Sequence, residues 1–294
     1  GPQNMNRSSM AQRDGSIWFA GELIPWREAR VHMLTHAMHY GSAVFEGEQV
    51  YGGKVFKLRQ HSQRLLDSAR LLGFNMPYDV EDIEGATETV LAANQIINGY
   101  VRPLAWRGSE RISVSAPDSS IHVAIAAWDT LPPYSEASRM TGINMCTSNW
   151  VRPAPNVAPF AAKASGLYVT STLAKHAAEA AGFDDALMLD YRGQVAEATL
   201  ANIFLVIDGA LHTPTPDCFL NGITRQTVIG LAQEAGLEVV ERAIMPTEFE
   251  HAREVFVTGT AAEIQPVRAI DNYRFKAGEC TQTIMDAFDQ AVGR

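Results

Sequence analysis

The sequence predicts a mixed α/β (α+β) chain built as two domains. Its 294 residues are enough for two cores. Turns at Ala20-Gly21, Gly52-Gly53 and Asp208-Gly209 divide short apolar runs, the mark of β-hairpins. Longer stretches carry apolar residues three and four apart, the mark of helices. A rigid, polar stretch beginning Leu131-Pro132-Pro133 reads as an interdomain linker over 131–140. It separates a small N-terminal α/β domain, 11–130, from a larger C-terminal domain, 141–294. Residues 1–10, opening Gly1-Pro2-Gln3-Asn4-Met5, read as a tag and disordered start outside the fold.

In chain order, 17–24 forms a hairpin turning at Ala20-Gly21, and 50–56 a second one around Gly52-Gly53. A helix over 60–72 places Leu65, Leu66, Ala69 and Leu72 on one face, and Gly73 stops it. A second helix, over 79–97, buries Ile83, Val90, Leu91 and Ile97. Segments 100–106 and 121–128 are strand-like. In the second half, 164–181 reads as a helix broken near its start and stopped by Gly182. Strands follow over 185–190, from Val195 onward, over 202–207 and over 210–213. A helix over 224–235 turns Val228, Ile229, Leu231 and Ala232 inward, and 237–244 and 254–258 are further strands.

The composition, 46% hydrophobic and 19% charged, is that of an ordinary globular protein, and a net charge of −9 argues against nucleic acid as a partner. No apolar run approaches the ~20 residues that span a bilayer. Cys146, Cys218 and Cys280 lie far apart without metal-ligand spacing. That pattern points to reduced thiols, a cytoplasmic location and no structural metal.

Five lysines occur. Lys54 and Lys57 flank the Gly52-Gly53 turn. Lys175 is expected in the last turn of its helix, where a cation suits the dipole. Lys276 lies in the turn Phe275-Lys276-Ala277-Gly278. Lys163 has no such setting, because no other charge occurs from Ala154 to Ala174. An amine there is partly desolvated, which favours its neutral, nucleophilic form. Such lysines form Schiff bases with carbonyls, including the aldehyde of pyridoxal 5'-phosphate (PLP). The competing reading is a lysine that reaches out of an apolar loop to water.

Three places are built to hold an anion. Gly222-Ile223-Thr224 opens a helix, whose first amides lack partners within it. Gly259-Thr260-Ala261-Ala262 follows a strand, and its small residues admit a ligand close to the backbone. Arg64 lies near the start of the 60–72 helix, three residues after His61. Each also has an ordinary reading, as cap, turn or solvated cation. Together they point to one phosphate, and a phosphate beside a Schiff-base lysine points to PLP. Glu197, among small and apolar residues in Val195-Ala196-Glu197-Ala198, suits the pyridine nitrogen, unless it is an outward-facing strand residue. Tyr168, five residues after Lys163, suits the phenolate oxygen.

The chain closely resembles the branched-chain amino acid aminotransferases, D-amino acid aminotransferase-like enzymes of fold type IV. The likeness runs over roughly residues 16–290. It is carried by His36-Ala37-Met38-His39-Tyr40-Gly41, Phe45-Glu46-Gly47, His61-Ser62-Gln63-Arg64, Tyr100-Val101-Arg102-Pro103 and Ala162-Lys163-Ala164-Ser165-Gly166-Leu167-Tyr168. It continues in Glu197 with Asn202-Ile203-Phe204, Gly222-Ile223-Thr224-Arg225 and Gly259-Thr260-Ala261-Ala262-Glu263-Ile264.

That resemblance implies a two-domain PLP enzyme that works as a homodimer or higher homo-oligomer on an amino donor and a keto acid. It implies Lys163 as the Schiff-base lysine and proton shuttle, Glu197 at the pyridine nitrogen and Tyr168 at the phenolate oxygen. Arg64, Ile223, Thr224 and Thr260 would surround the phosphate. Tyr100 and the Thr260-Ala261 backbone would hold the substrate α-carboxylate, while Tyr40, Phe45, Gly47, Trp128 and Ala261 shape an apolar pocket. Arg102 would receive the distal carboxylate of glutamate or 2-oxoglutarate. Two departures bear on substrate choice. Relatives often carry an arginine where this chain has Gln49, after Glu48, and the entrance loop reads Glu110-Arg111-Ile112-Ser113-Val114. The expected reaction is transamination between branched-chain or hydrophobic L-amino acids and 2-oxoglutarate. The alternatives are an (R)-selective amine transaminase, a D-amino acid transaminase, an aminodeoxychorismate lyase and a non-enzymatic PLP- or metabolite-binding protein.

Overall fold

The computed structural model describes residues 9–130 and 136–294. They fall into two compact units that divide between Thr130 and Leu131. Residues 1–8 of the expected start and 131–135 of the expected linker lie outside the described residues. The rest of that expected linker lies within a helix, α4, Glu136–Thr141.

The first unit is a sheet with helices on one face. Strands β1 (Ser16–Phe19) and β2 (Glu22–Pro25) form the first hairpin, and Ala20 and Gly21 both take positive φ, the twist a two-residue hairpin turn requires. A short helix, α1 (His36–Tyr40), leads into β3 (Ala43–Phe45) and β4 (Glu48–Tyr51). β4 turns through Gly52-Gly53 into β5 (Lys54–Val55). Then come α2 (Leu58–Leu71), α3 (Val80–Ala93), β6 (Gly99–Arg107) and β7 (Ile121–Asp129). The sheet runs β2-β1-β7-β6-β4-β5, with β3 beside β6. Leu65 and Ala69 of α2 and Ile83 and Val90 of α3 are fully buried against Val101, Ala105, Val123 and Ile125 of the sheet.

α3 is shorter than its sequence suggests. Asp79 and Asp82 form a reciprocal capping box at its start, and it ends at Ala93. Gln95 then turns with positive φ, which carries Ile96 into the core and leaves Ile97 60% exposed. The expected burial of Ile97 is therefore wrong by one residue, because the helical period stops before it.

The second unit is built on a closed ring of strands. After α4 come β8 (Ile143–Thr147), α5 (Val169–Ala180), β9 (Asp185–Leu189), β10 (Val195–Ala198), β11 (Asn202–Ile207) and β12 (Ala210–Thr213). They are followed by α6 (Ile223–Glu234), β13 (Val239–Glu241), β14 (Glu254–Gly259), β15 (Glu263–Ile270), β16 (Tyr273–Arg274) and α7 (Glu279–Ala291). The path β10-β9-β8-β15-β14-β11 returns to β10, because β10 also pairs with β11. Met145, Leu187, Ile203, Leu205 and Val257 fill one apolar cluster, and α6 and α7 pack against β14. Lys175 lies in the middle of α5 rather than its last turn, and its amine reaches the Asp184 carbonyl instead of the helix end. The strand expected over 237–244 is only the three residues of β13, which lie at the end of the sheet path beside β12.

Candidate active site

In the second unit, Lys163 sits on a loop between two buried alanines, Ala162 and Ala164, and is itself half-buried. A single 3-10 turn, Ser165–Tyr168, follows and runs directly into α5. That turn brings Tyr168 back over the lysine: Lys163 Nζ donates to the Tyr168 hydroxyl at 3.0 Å. The break expected near the start of this helix is thus the device that joins the two side chains.

Glu197 is on β10, opposite Met188 on one side and Asn202 on the other. Its carboxylate is not an outward strand residue; its side chain is 14% exposed. Burial raises its pKa to about 7, while the charges of Arg152 and Lys163 pull it down and Asp185 pushes it up. Arg152 Nε lies 2.9 Å from Glu197 Oε2. Arg152 is absent from the sequence reading, where its one cue is a cation just ahead of the uncharged run.

Asn202, across from Glu197, positions the next element. Its side chain accepts from Gly222 N at 3.1 Å and donates to the Leu220 carbonyl at 3.1 Å. Gly222 caps α6, and a Cβ there would fall 2.3 Å from Asn202 Oδ1, so the close approach needs glycine. Ile223 and Thr224 open α6, and no first-turn residue is acidic. The positive end of that helix therefore has no anion from its own first turn. Thr260 and Ala261 form the turn between β14 and β15; Thr260 is half-buried and Ala261 exposed.

In the first unit, register places the remaining residues. Gln49 pairs with Tyr100, Tyr100 with Trp128, Arg102 with Ala126, and Phe45 with Leu104. Directly paired residues share a face, so Phe45, Gly47, Gln49, Tyr100, Arg102 and Trp128 all lie on the face away from α2 and α3. The Arg102 guanidinium stacks over Phe45 at 4.7 Å, and it donates to the Glu46 carbonyl at 2.9 Å and the Tyr100 hydroxyl at 3.2 Å. A Cβ on Gly47 would collide with that hydroxyl at 1.8 Å. Tyr40, on α1, is 47% exposed and lies against the His36 ring.

The opposite face of the same strands carries Glu46 and Glu48, both fully buried. Arg64, in the second turn of α2, gives Glu46 two hydrogen bonds, at 2.7 and 2.8 Å, and His61 Nδ1 lies 2.6 Å from it. Burial raises the Glu46 carboxyl, but Arg64 and His61 overcome it and hold the pKa at about 2. Among the described residues, Glu48 has no hydrogen-bond partner on either oxygen. Burial, then the Glu46 charge, push it well above the ordinary carboxylate range. Nothing local in Phe45-Glu46-Gly47-Glu48 signals this buried acid pair.

The chain belongs to the class IV amino-transferases: the pattern of the family described as Amino-transferase class IV matches residues 43–270. The Pseudomonas aeruginosa branched-chain-amino-acid aminotransferase is 42% identical, with 97% of this chain and 96% of that protein covered. A probable branched-chain-amino-acid aminotransferase of Rickettsia felis is also 42% identical, over 95% of this chain and 94% of its own. Among solved structures, the Escherichia coli branched-chain amino acid aminotransferase superposes with a TM-score of 0.92 at 38% identity, covering 95% and 94% of the two chains. A second branched-chain amino acid aminotransferase, solved with pyridoxamine 5'-phosphate, gives 0.91 at 37%, covering 96% and 95%. The fold expected from the sequence is therefore the fold observed.

Proposed function

We propose that this enzyme is a PLP-dependent transaminase that moves an amino group between branched-chain or other hydrophobic L-amino acids and 2-oxoglutarate. One observation carries the reading: in the second unit an amine, Lys163, bonds a phenol, Tyr168, while a nearly buried carboxylate, Glu197, feels the lysine's charge. That donor set fits PLP, which presents an aldehyde to an amine, a phenolate oxygen to a hydroxyl and a pyridine nitrogen to an anion. The bound cofactor supplies an electron sink that makes the Cα proton of an amino acid acidic.

The chain's own groups do the rest. Lys163 would anchor the cofactor through its amine and, as a free amine, would carry the Cα proton of the substrate. Glu197 as an anion keeps the pyridine nitrogen protonated, and Tyr168 steadies the phenolate oxygen. The α6 amides of Ile223 and Thr224, with Thr260 and Arg64, take the phosphate. Tyr100 and the Thr260-Ala261 backbone take the α-carboxylate. Tyr40, Phe45, Gly47, Gln49, Trp128 and Ala261 shape the side-chain pocket, and Arg102 takes a distal carboxylate.

The reading as a homodimer or higher homo-oligomer is supported by the first unit's exposed apolar side chains, among them Met33, Met38 and Val114, which a second copy would cover. A cytoplasmic location accords with three free cysteines. Among the described residues no helix is long and apolar enough to cross a membrane.

Borohydride reduction of the purified enzyme and peptide mapping test the anchor. The adduct belongs on Lys163; an adduct on Lys175, or none, overturns the assignment. Leucine, (R)-1-phenylethylamine and D-alanine, offered separately as donors, test the substrate, and leucine is expected to react fastest. A faster reaction with the amine or with D-alanine would replace the branched-chain reading with the corresponding alternative.

A further inference from the structure

Arg152 takes no part in the roles above, yet its side chain is only 8% exposed and is gripped from three elements. Nε faces Glu197 Oε2 on β10 at 2.9 Å. Nη2 donates to Ser171 Oγ at 2.6 Å, and Nη1 to Thr170 Oγ1 at 3.3 Å, both on α5. Nη2 also touches Met188 Sδ on β9. A buried guanidinium is stable only with partners of this kind, and its planar fork can serve several at once.

The charges that act on Glu197 are Arg152, Lys163 and Asp185. Asp185 opposes its ionisation, although Thr199 Oγ1 donates to Asp185 at 2.6 Å and Lys175 lies 3.8 Å from it. Arg152 is a cation in direct contact, 2.9 Å from the carboxylate. Burial pushes Glu197 up to about 7 even with Arg152 in place. Without that cation the carboxyl would keep its proton at neutral pH, and a neutral acid cannot hold a proton on a pyridine nitrogen. The second grip matters as well. α5 begins at Val169, immediately after the turn that carries Lys163 back to Tyr168. One guanidinium thus ties the strand of the carboxylate to the helix that follows the amine.

We propose that Arg152 is a positioning residue of the transamination site: it favours the anionic form of Glu197 and, through that contact, holds β10 to the start of α5. The proposal rests on the PLP reading of Glu197 and Lys163.

The test uses holoenzyme of the wild type, Arg152→Gln, Arg152→Lys, Glu197→Gln and the Arg152→Gln/Glu197→Gln pair. The readouts are the pH titration of the bound cofactor's visible band, and kcat and KM with leucine and 2-oxoglutarate. Arg152→Gln is expected to lower kcat about 100-fold or more, to change the leucine KM less than about threefold, and to move the titration of the band. Arg152→Lys keeps the charge and should recover at least about tenfold of that kcat. In the Glu197→Gln background, Arg152→Gln should add less than about threefold, because its effect runs through that carboxylate.

An Arg152→Gln enzyme with wild-type kcat and an unmoved titration overturns the proposal. So does a full additive loss in the Glu197→Gln background. If Arg152→Gln does not fold, Arg152→Lys carries the test: a wild-type band titration supports the charge role, and a lost band overturns it. A wild type with no visible band and no adduct on Lys163 sinks the PLP reading itself. A wild type that loads and turns over, beside an unaffected Arg152→Gln, sinks only the role given to Arg152.

Discussion

Replacing Glu197 by glutamine isolates the cost of its charge. Burial raises this carboxyl from the ordinary 4.5 to about 7, against the pull of Arg152 and Lys163. The folded apoprotein therefore holds a proton that the unfolded chain has already released, and stability falls as pH rises through that window. At about 1.4 kcal/mol per pH unit, ionised Glu197 costs the folded apoprotein about 3 kcal/mol, all of it felt above about pH 8. Glutamine does not titrate, so the window disappears. It also leaves Arg152 facing a neutral amide at every pH, an offset in the variant that does not vary over this range. The decisive quantity is therefore the difference in pH slope. Urea unfolding of apoprotein should show the wild type losing about 2–3 kcal/mol more than Glu197→Gln between about pH 5 and pH 8. Parallel profiles would mean that the ionised carboxylate is not desolvated, and the argument for its special environment would fail. In holoenzyme the same variant should lose most of its kcat; a change within about threefold, under ~1 kcal/mol of barrier, would return Glu197 to a structural strand residue.

Three further outcomes follow from the same geometry. Glu48→Gln should stabilise the protein progressively as pH rises above about 4.5, since the folded pKa of Glu48 is raised and its ionisation opposes folding; equal urea midpoints for wild type and variant across that range would refute it. Thr260→Val and Arg64→Ala should each weaken cofactor retention by about 1.5–3 kcal/mol, measured by dialysis against phosphate; Arg64→Ala should also destabilise the first unit, because Glu46 loses two hydrogen bonds. Arg102→Ala should cut activity with glutamate and 2-oxoglutarate about 10- to 100-fold, and with a leucine–keto acid pair far less; equal losses would show that Arg102 serves Phe45, Tyr100 and the Glu46 carbonyl rather than a substrate.

Local chemistry was legible wherever one residue decides a conformation. The turns at Ala20-Gly21, Gly52-Gly53 and Asp208-Gly209 all take the positive φ that their hairpins demand, and Gly73 and Gly182 end the helices they follow. Leu65, Ala69, Ile83 and Val90 are buried as their period requires. Lys163 stood out because no neighbouring charge could account for it. What the sequence did not reveal depends on contacts between distant residues. β15 contains Pro266 and is buried along most of its length, so it lacks the alternation that marks a half-exposed strand. Ile96 rather than Ile97 enters the core because of one backbone turn at Gln95. Glu46 and Glu48 became a buried acid pair when β4 met β6 and the face that carries Glu46 met α2. The partnership of Arg152 with Glu197 joins residues 45 positions apart, and no local pattern encodes it. By itself the sequence determined which residue types can do the chemistry. The tertiary structure decided their charge states, because these depend on burial and on the counter-ions that folding brings within a few ångströms.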